Sequence, residues 1–487
     1  MGLKDINGNR QESGVSGMLA DYFGFEEHDT TLGTEIMAGI TTFLTMSYIV
    51  VVNPSILADN PQIPIQDGIN LVGYSYNQTV AMLAVVTIIA AAVATLTMAF
   101  YANRPFAQAP GLGLNAFFAF TVVGTLGVSW QTALAAVVVE GVLFILLTAI
   151  GARKYIIRLF PEPVKFAVGT GIGLFLAIIG LEAMNVVVAD SATLVTLGPV
   201  ASDPTAILSV LGLFLTFALY SRGIPGSIII GIAVTTIAGY AAEFFGLVGA
   251  GTLTPTMTGA TYDISPVAGA FVSGLGAHGL TTLDGLFSFG LIVFTFFFVD
   301  FFDTAGTLVG VGQVGGFLND EGNLPEVEKP LMADAIGTTV GGMLGTSTVT
   351  TYIESASGVE EGGRTGMTAL VIGILFLLSL VFVPLAAAVP QYASHIALVV
   401  IGVVMLGNVV DIAWDDITNT VPAGMTILVM PFTYSIAYGI AAGIVSYPIV
   451  KLAAGKREEI RLGHWALAAA FVLYFFVRTS GVLQGNV

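Results

Sequence analysis

Cysteine is absent from the 487-residue sequence, and charged residues make up only 10% of it. Without cysteine there are no disulfides, thiolate metal sites or cysteine nucleophiles. The four histidines are scattered without the spacing of metal ligands, so the sequence predicts neither a metal site nor a cofactor; they are His28, His278, His395 and His464. With 55% hydrophobic residues, the chain is also too apolar for an ordinary soluble enzyme of several domains.

Long apolar runs recur from one end of the chain to the other. Fourteen of them, some short or broken, predict an all-α polytopic membrane protein with 14 transmembrane segments. They lie at about 35–52, 79–101, 108–127, 130–150, 164–188, 205–220, 226–249, 284–311, 329–346, 348–363, 366–388, 391–410, 422–432 and 433–451. A further run at 464–479 could cross the membrane or lie on its surface. The polar first thirty residues lack a short apolar core with a cleavage site, so no cleavable signal peptide is expected.

The basic residues favour one orientation. With the N-terminus in the cytoplasm, every internal Lys and Arg falls on the cytoplasmic side, as the positive-inside rule requires. The loops then assigned to the outside, 53–78, 189–204, 250–283 and 384–390, contain no Lys or Arg. The net charge of −17 comes largely from acidic loops, which favour adaptation to high salt over a cationic partner and argue against nucleic acid as a partner.

Residues 347–358, STVTTYIESASG, form the most unusual stretch. A Thr-rich extended run leads into a small-residue helix whose first turn holds Glu354. Irregular backbone at bilayer depth is tolerated only where protein or a water-filled cavity satisfies it, so this stretch is a candidate binding site.

A second broken segment resembles the first. Residues 107–117, AQAPGLGLNAF, also have a Gly/Pro-rich entry followed by a polar side chain, Asn115. The two lie seven segments apart, and an odd separation predicts halves of opposite topology, a 7+7 inverted repeat with short strands and half-helices in segments 3 and 10. Both half-helices would direct free N–H groups at one midplane pocket, with Asn115 facing Glu354.

Segment eight carries two more acids. Asp300 and Asp303 are three residues apart, and Thr304 continues their predicted helix face. A carboxylate at bilayer depth costs about 2.5–3.5 kcal/mol even on a lenient scale, so these acids should face the bundle interior and have a function. No membrane-embedded Lys or Arg neutralises them. Protons, a cation or a substrate that donates hydrogen bonds must therefore complete the site.

Aromatic residues flank the two polar side chains. Tyr352 precedes Glu354, and Phe117 follows Asn115, each by two residues. Their rings could sandwich a flat heterocycle while the carboxylate accepts its N–H groups; packing is the alternative for both. Two other acids within apolar runs, Glu140 and Glu182, are interpreted as helix-packing or lid residues.

Several motifs together resemble the AzgA-like purine permeases, a branch of the nucleobase:cation symporters. They are TEIMAGITTFLTMSY at 34–48, APGLGLNAFF at 109–118, VDFFDTAGTL at 299–308, and ESASGV at 354–359 with GGRTG at 362–366. The resemblance spans about residues 30–455. It implies proton-coupled uptake of hypoxanthine and guanine, and in some members adenine, across the cell membrane, with a homodimer formed by the gate domains; sodium is the less favoured coupling ion.

The resemblance also implies domains and residue roles. Asp300 and Glu354 would bind the substrate, Asn115 would be a further essential polar group, and Asp303 would support binding or coupling. After a cytoplasmic segment, 1–33, the core domain comprises 34–160 and 281–388, the gate domain comprises 161–280 and 389–455, and 456–487 forms a basic loop and an apolar helix.

Two alternatives remain open from the sequence. An anion transporter of the same fold would need a cation in the pocket. A membrane-embedded aspartyl protease using Asp300 would need a second catalytic aspartate on another helix, and Glu354 is a poor substitute for it.

Overall fold

The computed structural model describes residues 15–60, 68–151, 160–255, 261–277, 283–319 and 324–479. Of the residues named above, His278 lies outside these ranges.

Helices dominate the described part of the chain, as the apolar runs predict. The α-helices are α1 (Val15–Phe23), α2 (Leu32–Met46), α3 (Ile49–Leu57), α4 (Tyr76–Thr97), α5 (Leu112–Ala116), α6 (Trp130–Ala149), α7 (Glu162–Ala183), α8 (Pro204–Tyr220), α9 (Ser227–Phe244), α10 (Phe271–Leu275), α11 (Leu283–Val314), α12 (Glu328–Leu344), α13 (Ser355–Glu360), α14 (Gly366–Ser379), α15 (Val383–Ala388), α16 (Gln391–Ser394), α17 (Ile396–Met405), α18 (Ile417–Thr433), α19 (Ile436–Ala453) and α20 (Leu462–Thr479). Each predicted apolar run coincides with one or more of these elements.

Shorter helical turns and strands complete the set. Met98–Ala102 and Phe117–Thr125 are π-helical, and Leu380–Phe382, Leu406–Asp411 and Arg457–Glu459 are 3₁₀ turns. The strands are β1 (Gln108–Pro110), β2 (Val187–Asp190), β3 (Leu194–Leu197) and β4 (Val349–Thr351). Strands β2 and β3 form a hairpin, whereas β1 and β4 pair antiparallel across about 240 residues of chain.

Nine helical stretches within the described ranges are long and apolar enough to cross a membrane. They are Leu32–Leu57, Tyr76–Ala102, Trp130–Ala149, Glu162–Ala183, Ser227–Phe244, Gly285–Val314, Gly366–Ala388, Gln391–Val410 and Ile436–Ala453. The protein is therefore a multi-pass membrane protein. The count of 14 segments stays a prediction, because the helices of the other five predicted segments, 108–127, 205–220, 329–346, 348–363 and 422–432, are too short to meet this length criterion.

The helices pack in two groups. In one group, α2 and α4 pack on α14, and α4 and α6 pack on α12. Helix α11 packs on α6 and α12. The other joins α7 to α17, α18 and α19, and pairs α8 with α9. The division into core and gate domains stays a prediction. The terminal helix α20 packs on α19, and its Phe471 ring lies 6.0 Å from that of Phe294 on α11.

Small residues allow the two helices of the α8–α9 pair to approach closely. A Cβ atom at Gly212 of α8 would lie 2.1 Å from the Thr235 hydroxyl oxygen of α9. Reciprocally, a Cβ at Gly231 of α9 would lie 1.9 Å from the Thr216 hydroxyl oxygen of α8. Close packing of this kind replaces the hydrophobic driving force that lipid cannot provide.

Candidate functional site

The crossing of β1 and β4 lies at the centre of the candidate site. Gln108 is opposite Thr351, and Ala109 is opposite Thr350. Both strands are buried along their whole length. Successive side chains of a strand point to opposite faces, so Thr350 and Thr351 face two different environments.

The Thr350 face carries two partly exposed carboxylates. The Thr350 hydroxyl hydrogen-bonds Asp303 of α11, and Asp303 is in electrostatic contact with Glu354, at the start of α13. Both acids are partly exposed. Tyr352 completes this face near both acids, and its hydroxyl donates to the carbonyl of Pro110 at 2.5 Å.

Tyr48 holds the Glu354 carboxylate in place. Its hydroxyl donates to Glu354 Oε1 at 2.5 Å, and its side chain is 1% exposed. A tight turn at Ser47–Tyr48 separates α2 from α3 and directs this hydroxyl toward α13. Tyr220, at the end of α8 in the other helix group, is also in electrostatic contact with Glu354. The accessible acids therefore face the junction of the two groups.

The Thr351 face is closed and also acidic. Asp334 of α12 accepts hydrogen bonds at Oδ1 from Gln108 Nε2 (3.2 Å), the Thr351 hydroxyl (3.4 Å) and the Thr304 hydroxyl (2.9 Å). The Thr304 hydroxyl also lies 3.4 Å from Asp300 Oδ1. These side chains are completely or almost completely buried.

Glu140 of α6 joins this closed cluster. Its carboxyl group lies within hydrogen-bonding range of the carboxyl group of Asp300, whose Oδ2 has no other partner, and Asp334 is in electrostatic range of both. Glu140 and Asp300 are both 0% exposed. Three acids from α6, α11 and α12 therefore share one enclosed volume behind the strand crossing.

The structure separates the two acids of α11, which the sequence predicted to share one environment. Asp303 turns to the accessible face beside Glu354, whereas Asp300 turns into the closed cluster with Glu140 and Asp334. The two acids are three residues apart on a helix that packs against β4. Thr350 of β4 bonds to Asp303, whereas Thr351 bonds to Asp334 of the closed cluster. The acid that lies beside Glu354 is thus Asp303.

Asn115 and Phe117 occupy buried positions next to β1. The Asn115 amide donates to the Pro110 carbonyl at 3.4 Å, and its oxygen accepts a hydrogen bond from the Ser347 hydroxyl. Asn115 thereby braces the entries of both broken segments. The Phe117 ring is 1% exposed and packs edge-to-face on Phe296, with centroids 4.8 Å apart.

The expected free N–H groups at the start of α13 are not free. The N–H groups of Ser355, Ala356 and Ser357 donate to the carbonyls of Tyr352, Ile353 and Glu354, at 3.1, 2.9 and 3.0 Å. This 3₁₀-type turn tightens the entry of the helix and satisfies donors that an ideal helix start leaves open. The exposed groups at this turn are therefore side chains rather than backbone amides.

Sequence reasoning missed three residues of these clusters. The sequence marks Tyr48 only as part of a motif, gives no separate indication for Asp334, and favours a helix-packing or lid role for Glu140. The available signal was an isolated polar residue within an apolar run, as for Glu140 in VVVEGVLF. Among the described residues, no group of three or more His, Cys, Asp or Glu side chains is arranged to hold a metal ion.

Two interrupted segments that meet in the interior of a membrane protein are typical of inverted-repeat transporters. Solved structures agree with this fold. The transmembrane domain of a cyanobacterial bicarbonate transporter, BicA, superposes with a TM-score of 0.56 at 16% identity, over 87% of this chain and 97% of that one. A murine Solute Carrier 26 member A9 anion transporter superposes with a TM-score of 0.56 at 9% identity, over 93% of this chain and 74% of that one.

The sequence comparisons define the family. The Permease family of xanthine/uracil permeases matches residues 33–442. A putative permease of Methanocaldococcus jannaschii is 44% identical, over 93% of this chain and 97% of its own length. An adenine permease of Escherichia coli is 39% identical, over 95% of this chain and 97% of its own length. A guanine/hypoxanthine permease of Bacillus subtilis is 40% identical, over 94% of this chain and 99% of its own length. The chain belongs to the xanthine/uracil permease family, and it is a nucleobase transporter rather than an enzyme.

Proposed function

We propose that this protein is a secondary active transporter that takes up purine nucleobases together with protons across the cell membrane by alternating access. Its substrates would be hypoxanthine and guanine, with adenine as a further candidate. The names of the relatives support the purine class, since they include both guanine/hypoxanthine and adenine permeases.

The observation that carries the proposal is the accessible pair Glu354 and Asp303. A purine offers ring N–H donors, and a carboxylate accepts them in charge-assisted hydrogen bonds. Tyr48 fixes the Glu354 carboxylate, and Tyr352 offers an aromatic surface beside it. We place Asp300, Thr304, Asn115 and Phe117 behind these groups, where Asp300 and Thr304 serve proton coupling and Asn115 and Phe117 support the strand crossing.

The same face argues against transport of an anion. An anion in contact with Glu354 and Asp303 would be repelled, and among the described residues no ion pair joins either acid to a Lys or Arg. The likeness to bicarbonate and anion transporters is one of fold at 9–16% identity.

Uptake assays test the proposed function. In cells without endogenous purine uptake, the protein should accumulate radiolabelled hypoxanthine, guanine or adenine, and more strongly with an inward proton gradient. Glu354→Gln should reduce uptake by at least tenfold, because the amide offers an N–H where an acceptor is needed. Glu360→Gln, at the exposed end of the same short helix, is the matched control. Normal uptake by Glu354→Gln at equal membrane abundance would refute the assigned role.

Three finer expectations stay predictions: a cytoplasmic N-terminus, a homodimer formed through the gate helices, and adaptation to high salt. The first follows from the distribution of Lys and Arg.

A further inference from the structure

The closed cluster behind the strand crossing contains a polar group without an ordinary partner. Glu140 is completely buried, and neither of its carboxyl oxygens receives a hydrogen bond from an amide, a hydroxyl or a basic group. Its carboxyl group is directed at the carboxyl group of Asp300. Gln108, which reaches Asp334, likewise leaves its Oε1 unpaired in this volume.

Contact between two carboxyl groups requires a proton. Two carboxylates are both acceptors, so they form a hydrogen bond only when one of them is protonated. Neighbouring carboxyls that cannot both ionise share one proton, as in the paired carboxyls of aspartic proteases. The charged or titratable groups facing the pair are Asp334 from α12 and Asp303 from α11 itself, and all are acidic.

A metal cation is a weaker explanation for the same cluster. A metal needs several oxygen ligands around one point, and the described acids form no such group. The proton requirement, by contrast, follows from one carboxyl–carboxyl contact.

We propose that Glu140 and Asp300 together hold the proton that is taken up and released in each transport cycle, on the opposite face of the β1–β4 crossing from the nucleobase. This inference rests on the proposed function. Glu140 acts on the proton and does not touch the nucleobase.

The strand crossing gives a physical reason for coupling. The Thr350 hydroxyl hydrogen-bonds the accessible acid Asp303, and the adjacent Thr351 hydroxyl hydrogen-bonds Asp334 in the closed cluster. A shift of β4 when the nucleobase binds Glu354 therefore changes both faces together. With the proton absent, five carboxylates would have to move through the bilayer interior, which is costly.

The test separates binding from coupling. Glu140→Gln should keep nucleobase exchange across the membrane, assayed without a gradient, but lose proton-driven accumulation by at least tenfold and flatten its pH dependence. Glu182→Gln, which alters another acid within an apolar helix, is the matched control and should keep the wild-type pH profile. Wild-type pH dependence in Glu140→Gln would overturn the inference while leaving the proposed function intact.

Other outcomes are equally decisive. If the wild type transports no nucleobase, the proposed function fails; if a sodium gradient replaces the proton gradient as its driving force, the proton assignment fails. If Glu140→Gln does not reach the membrane, Glu140→Asp is the second variant, because it retains the carboxyl group. We expect it to shift the pH dependence of uptake, and an unshifted pH dependence would contradict the inference. Infrared spectroscopy of the wild type at neutral pH should show a protonated carboxyl band; its absence overturns the inference without any variant.

Discussion

At the scale of single residues, the function proposed here depends on how each acid is hydrogen-bonded. Glu354, Asp303 and Asp300 are chemically similar, yet their surroundings differ. Tyr48 holds Glu354, Thr350 holds Asp303, and Asp300 meets a second carboxyl. The neighbours therefore support the proposed roles, in which the two partly exposed acids would bind a donor-rich substrate and the closed one would hold a proton.

The substitution Tyr48→Phe removes the hydrogen bond to Glu354 and changes the side-chain volume only slightly. Hydrogen bonds to charged groups contribute about 1.5–3 kcal/mol, and a loss of about 1.4 kcal/mol corresponds to a tenfold loss of affinity. We expect KM for the nucleobase to rise by about tenfold or more, with membrane abundance unchanged. Tyr22→Phe, which loses only a hydrogen bond to the Phe100 carbonyl at the surface, is the control. A KM within twofold of wild type would contradict the positioning role of Tyr48.

The separation of Asp300 from Asp303 predicts two different phenotypes. Asp303→Asn should raise KM for the nucleobase and retain the pH dependence of uptake, since this acid lies on the face proposed to bind the nucleobase. Asp300→Asn should lose the response to pH, since its carboxyl is half of the proton-holding pair. Uptake measured at several pH values and substrate concentrations distinguishes the two, and identical profiles for both variants would show that the acids act as one site.

At the scale of elements, buried acids also hold helices together. Glu35 of α2 is completely buried, and its carboxylate accepts hydrogen bonds from the N–H groups of Arg364, Thr365 and Thr368 and from the Thr368 hydroxyl. These donors lie at the start of α14, where an anion also interacts favourably with the helix dipole. A motif acid outside the acid clusters thus serves as a helix cap.

Glu35→Ala should therefore destabilise the protein without a specific effect on substrate. Leaving several buried donors unsatisfied costs about 1–3 kcal/mol for each group that finds no other partner. Thermal unfolding of the detergent-purified protein, followed by tryptophan fluorescence, should show a Tm lower by several degrees. Glu26→Ala, at an exposed position before α2, should leave Tm unchanged. An unchanged Tm in Glu35→Ala would show that water replaces the carboxylate.

At the scale of the whole molecule, the charge distribution makes a prediction about salt. The net charge is −17, and like charges destabilise a compact state through repulsion that salt screens. Salt also weakens favourable pairs such as Lys456 with Asp416 at 2.6 Å, but partly exposed pairs contribute only about 0–1 kcal/mol each. We expect Tm to rise between low and molar KCl. A falling Tm would show that ion pairs outweigh repulsion and would contradict adaptation to high salt.

The sequence alone determined the class of protein and most of its elements. Apolar runs of spanning length, the two Gly/Pro/Thr-rich interruptions and the odd number of segments between them predicted a helical membrane protein with an inverted repeat, because hydropathy and chain-breaking residues act locally. The same reasoning found Asp300, Asp303 and Glu354, since an acid within an apolar run is visible without a structure.

Only the tertiary structure decided which acids meet. Whether Asp300 or Asp303 lies beside Glu354 depends on which side of α11 packs against β4, and the partnership of Asp300 with Glu140 joins helices about 160 residues apart in the chain. Tyr48 was hidden for the same reason, because its hydroxyl reaches Glu354 through a turn between α2 and α3. Periodicity assigns a residue to a face of its own element, but the partner across that face is set by packing between distant elements.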